Sequence, residues 1–105
     1  MATKEQKEKQ TAESITSIVA PVVLATEGVA SMQPVPAVPS GILITSIFGN
    51  MDIDVFVNVF YGCNIPEVSW NIQERIKEAL EANSVKADHI NIHIEGVDLG
   101  NVKNE

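Results

Sequence analysis

The side chains in this chain best suited to chemistry are His89 and His93, Asp52 and Asp54, and Cys63. Two histidines four residues apart can share a metal ion on a helix, where such positions lie on one face. Here they fall in HINIHI, an alternating run that reads as a β-strand. On a strand four residues span about 13 Å, too far for two imidazoles to meet one ion, so the pair reads as part of a solvated face. Asp52 and Asp54 have the residue type of an acid–base pair, but they flank a hairpin turn, where carboxylates serve turn bonding and edge protection. Cys63 stands between a strand end and a helix start, a position that can activate a thiol; with no basic residue near it in sequence, it reads as a small packing residue. The chain has no Gly-rich phosphate loop, nucleophile elbow or paired-cysteine zinc pattern. The expectation is a protein with no catalytic residue, metal site or cofactor, which acts by contact and is not an enzyme.

The elements that hold these residues follow from periodicity. The segment 1–13 is charged and polar throughout and reads as a disordered tail, because it has nothing to bury against the entropy of ordering. From Ser14 the apolar residues Ile15, Ile18, Val19, Val22 and Val23 recur at helical spacing, and Gly28 supplies a left-handed stop. Pro21 predicts a kink, or a helix whose regular part begins there. Residues 33–40 read QPVPAVPS, an extended polyproline-like connector that contains a PxxP from Pro36 to Pro39.

A strand over 41–48, a turn at Gly49-Asn50-Met51 and a second strand follow. In that second strand Ile53, Val55, Val57 and Val59 alternate with Asp54, Phe56, Asn58 and Phe60. The next helix has the clearest start in the chain: Asn64 caps, Pro66 fits the first turn and Glu67 completes a capping-box spacing. Its apolar stripe is Val68, Ile72, Ile76, Ala79 and Leu80. The last strand sets Ile90, Ile92 and Ile94 against His89, Asn91, His93 and Glu95, and residues 99–105 read as a loose tail.

The fold class is therefore α+β: one small two-layer domain over residues 14–98, of order α-β-β-α-β, with room for a weak extra strand before Ser14. Helices pack a mixed three-stranded sheet in which the last strand lies beside the first. Four residues are candidates for a protein-contact surface. Trp70 falls about 150° around its helix from the apolar stripe. It is either covered by its own proline connector or tail, or free to anchor a partner. Phe56 and Phe60 lie on the strand face opposite the valines, and they form an exposed patch unless the first helix covers them. His93 points outward from the last strand.

With 105 residues there is room for one domain and a thin stability margin. Fourteen acidic against seven basic residues leave a net charge of −7, which opposes binding to nucleic acid. An RNA-binding domain of the KH type would share the mixed α/β order, but no GxxG is present. One cysteine cannot form an intrachain disulfide. The longest apolar stretch, 18–25, is far short of the ~20 residues of a membrane span, and no direct membrane insertion is expected. The segment before it lacks the net positive charge of a signal peptide, so the protein is expected in the cytoplasm.

NVFYGCNIPEV, IQERIKEALE and INIHIEGV, in that order, resemble the alkaline shock protein family, the envelope stress response proteins found mainly in Gram-positive bacteria. ATEGVASM, upstream, is similar to the family's corresponding Glu-Gly-Val segment. The chain departs from the family pattern at Pro21 and Trp70. The resemblance implies a non-enzymatic, acidic cytoplasmic protein that forms homo-oligomers. It would sit at the inner side of the cell membrane through a small anchored partner and act in cell envelope homeostasis as a scaffold or adaptor. The alternative is a monomeric regulatory module that modulates a cytoplasmic metabolic enzyme.

Overall fold

The computed structural model describes residues 4–99, with side chains from residue 12 onward. The elements run α1 (Lys4–Leu24), β1 (Val29–Met32), β2 (Ile42–Ile47), β3 (Asn50–Phe60), α2 (Ile65–Ala82) and β4 (His89–Asp98). The fold class is α+β with two layers, helices on one side and a mixed sheet on the other, and the sheet has four strands where the sequence predicts three. The added strand is β1. Its four residues are too few to show alternation, and it lies after α1; among the described residues before Ser14, 4–13 are helical and hold no strand.

The first helix begins ten residues earlier than its apolar pattern does. Residues 4–13 are Lys, Glu, Gln, Thr and Ala, mostly strong helix formers, so propensity carries the helix outward from the buried turns at Ile15, Val19 and Val23. The rest of the expected tails, residues 1–3 and 100–105, lies outside the described residues. Pro21 neither breaks α1 nor starts it. It is exposed, its missing N–H costs one bond near the helix end, and its carbonyl still accepts the Ala25 N–H at 3.0 Å.

The connector after β1 is also not extended. Val35 and Val38 exchange two backbone hydrogen bonds of 3.1 and 2.8 Å around Pro36 and Ala37, and Val38 is buried. This tight turn redirects the chain so that β1 and β2 lie end to end along one edge of β3, which absorbs the PxxP into a fold element. β1 pairs with Val57–Val59 of β3 and β2 pairs with Asn50–Val55, both antiparallel. β4 runs parallel to β3 on its other edge, so the last strand lies beside the second strand of the hairpin and not beside its first. A helical crossover from β3 through α2 makes that parallel pairing reachable.

The hairpin turn is two residues, Phe48 and Gly49, one position earlier than its turn signal predicts. β4 extends to Asp98, past Gly96, through an irregularity in its register with β3. A Cβ at Gly96 would stand 2.9 Å from Asn58 Oδ1, so a larger residue there would make the Asn58 side chain shift.

The core lies between the layers. Ile53, Val55, Val57 and Val59 of β3 have no exposure, and they meet Val19 and Val23 of α1 and Ile72 and Ile76 of α2. α1 covers the β1/β2 edge and α2 covers β4. The Glu67 N–H donates to Asn64 Oδ1 at 3.1 Å, the expected cap. Where the end of α1 meets the start of α2, Gly28 has φ +98° and a Cβ would come within 2.6 Å of Val68. Gly28→Ala is expected to destabilise by about 2–4 kcal/mol through backbone strain and overpacking together, against about 1 kcal/mol for Asn64→Ala. Urea unfolding of the two variants checks this ordering.

Candidate functional site

Alternation along β3 sends Asp52, Asp54, Phe56, Asn58 and Phe60 to the side away from both helices. Register places Thr45 beside Asp52 and Leu43 beside Asp54 on β2, Ser31 beside Asn58 on β1, and His89, Asn91 and His93 beside Asp52, Asp54 and Phe56 on β4. No described helix covers this face, which settles the position of Phe56 and Phe60: Phe56 is half-buried by its sheet neighbours and Phe60 is 46% exposed.

The polar residues of the face are tied to one another. His89 Nδ1 lies 2.9 Å from Asp52 Oδ1, and His93 Nε2 lies 2.9 Å from Asp54 Oδ1, each within hydrogen-bond distance. Asn91 Nδ2 also donates to Asp54 Oδ1 at 3.2 Å. The His93 ring stacks on Phe56 with centroids 4.5 Å apart and planes 12° from parallel. Further along, Asn58 Nδ2 donates to Gln33 Oε1 at 2.7 Å and to Ser31 Oγ at 3.2 Å. Each histidine thus engages its own aspartate, and the two aspartates are rungs of a cross-strand ladder more than turn caps. The spacing of the aspartates in sequence could not show this, because their partners come from a strand 37 and 39 positions away.

Chemically this surface presents an aromatic platform held flat by a hydrogen-bonded frame. Three of the four residues singled out in the sequence, Phe56, Phe60 and His93, converge here. Trp70 does not: α2 buries Val68, Ile72, Ile76 and Leu80 against the sheet and leaves Trp70 60% exposed on the opposite surface. Neither the proline turn nor any other described segment covers it. Among the described residues, no group of three or more His, Cys, Asp and Glu side chains is placed to hold a metal ion. Two clefts lie on the helix side. One, of about 320 Å³, runs between the end of α2 and the start of β4 along Leu80, Val85, Ala87 and Ile90. The other, of about 240 Å³, is at the start of α2 beside Glu27, Cys63 and Glu67.

The sequence pattern of the ASP23 family, described by a cell envelope-related function, matches residues 1–99. This chain belongs to the ASP23 family. The match agrees with the resemblance to alkaline shock proteins seen in the sequence. This chain is also similar to two uncharacterized proteins of Streptococcus pyogenes serotype M6. Spy1614 is 36% identical over 58 residues, 54% of this chain and 48% of that protein; Spy1535 is 38% identical over 50 residues, 47% and 39% respectively. The matched region thus spans under half the length of either relative. Among solved structures, two variants of the MamM CTD share the fold. Their TM-scores are 0.65 and 0.66 at 9% and 8% identity, covering 85% and 87% of this chain and 99% of each of theirs.

Trp70 is the only tryptophan and is largely exposed. Its emission in the folded ASP23-family chain is expected near that of indole in water, with full access to a soluble quencher, and to change little on unfolding. A blue-shifted, protected emission would show Trp70 covered.

Proposed function

We propose that this protein is a non-enzymatic scaffold or adaptor of the envelope stress class that self-associates through its open sheet face. It acts in the cytoplasm, at the inner side of the cell membrane, through a small membrane-anchored partner. The observation that carries the reading is the platform of Phe56 and His93, framed by Asp54 and Asn91 on a sheet face without a helix. Aromatic anchors within a polar surround are the usual make-up of a non-obligate interface. The family's envelope-related function supports the location. No helix among the described residues is long and apolar enough to cross a membrane. A net charge of −7 further disfavours direct attraction to an anionic lipid surface. The pairing of both histidines with aspartates supports a structural role for groups that would otherwise be candidates for catalysis.

Light scattering of the full chain across a concentration series tests the assembly. The mass is expected to rise with concentration, Phe56→Glu and Phe60→Glu to weaken association by about tenfold or more, and Trp70→Ala, on the opposite surface, to leave it unchanged. A chain that stays monomeric at the highest concentration, and that captures a soluble enzyme from lysate, overturns the scaffold reading in favour of a regulatory module.

A further inference from the structure

The β2–β3 turn sets a knob at one end of the molecule. Phe48 is 100% exposed and has φ +51°, followed by Gly49 at +84°. A two-residue hairpin with positive φ at both positions favours Asn, Asp or Gly at the first; an aromatic there is strained, and full exposure adds the cost of hydrating its ring. Ile47, next to it, is 58% exposed. Two independent costs at one residue point to an interaction that recovers them.

The cleft along Leu80, Val85, Ala87 and Ile90 lies at the same end. Asp88 ties it to the base of the hairpin: its N–H donates to the Met51 carbonyl at 2.7 Å and its Oδ2 accepts from the Met51 N–H at 2.6 Å. The cleft's volume of about 320 Å³ exceeds the ~150 Å³ apolar cavity that holds a benzene molecule, so it can take a phenyl ring. Its rim carries Lys77 and Lys86 beside Glu81; the two lysines are two of the three Lys and Arg side chains among the described ones, Arg75 being the third. Two lysines against one glutamate make this lining net positive in a chain with twice as many acids as bases, which favours the approach of a second acidic copy here.

We infer that two copies of this chain dock end to end, the Phe48 ring of each seated in the cleft beside Ala87 of the other. Because knob and cleft occupy one end, the exchange is reciprocal and closes as a two-fold dimer. The inference rests on the self-association proposed above but uses a different surface from the open sheet face, so the two together would build a larger assembly.

Sedimentation of the full chain, Phe48→Asn, Ala87→Glu and an equimolar mixture of the variants tests it, with melting curves beside each. Phe48→Asn suits the turn, so it is expected to melt at or above the parent temperature while its end-to-end dimer weakens by about a hundredfold or more, two phenylalanine burials being lost. Phe48→Gly is the second variant should the first fail to fold. Ala87→Glu should lose the same dimer, and the mixture should recover part of it, since one knob and one open cleft remain in each mixed pair. If the parent associates and both variants associate equally well, the end-to-end contact is overturned while the sheet-face reading stands. A monomeric parent overturns both. Loss of the dimer in Phe48→Asn alone, with Ala87→Glu unaffected, overturns the cleft as the seat of Phe48.

Discussion

β3 is the strand on which the rest of this molecule depends. Among the described strands it alone pairs with every other one, and its four alternating aliphatic residues have no contact with water. A period of two is rigid. Slipping β3 by one residue would turn Asp52, Asp54 and Asn58 into the core and put four aliphatics outside, so one register is selected strongly. That single choice determines which side the helices cover and, equally, which residues are left on the opposite side.

The division of labour between the faces follows. The inner face is purely aliphatic and is filled by stripes from α1 and α2, a packing whose energy comes from area removed from water. The outer face keeps its polar side chains solvated but connects them across strands: carboxylates to imidazoles, amides to hydroxyl and amide oxygens. Exposed pairs of this kind contribute little to stability individually. Their physical effect here is orientation, since Asp54 holds His93 where it can lie on Phe56.

Glycines mark the places where backbone must approach side chain. At Gly28 the end of α1 turns beneath Val68, and at Gly96 the β4 backbone passes Asn58. Both are junctions between layers or strands that no short window of sequence describes. Phe48 is the contrasting case, a side chain where a turn would favour a smaller residue, and it lies at an end with an apolar cleft beside it.

Local pattern was enough to read the capped helix from Asn64, the alternation of β3 and β4, and the placement of Phe56 and Phe60 on the strand face opposite the valines, because each is written in spacing over a few residues. Family membership was legible for a related reason, since the strand end, helix start and final strand carry their signatures in contiguous segments. What only the tertiary structure decided depends on partners distant in the chain. β1 exists as a strand because β3 supplies its hydrogen bonds, the proline segment turns because two strands share one edge, and β4 joins β3 and not β2 because α2 crosses over that side. The same holds for the surface: that Asp52 meets His89, that Asp54 meets His93, and that Trp70 stands apart are consequences of pairing across nearly forty residues and of which helix face is buried, and neither is encoded locally.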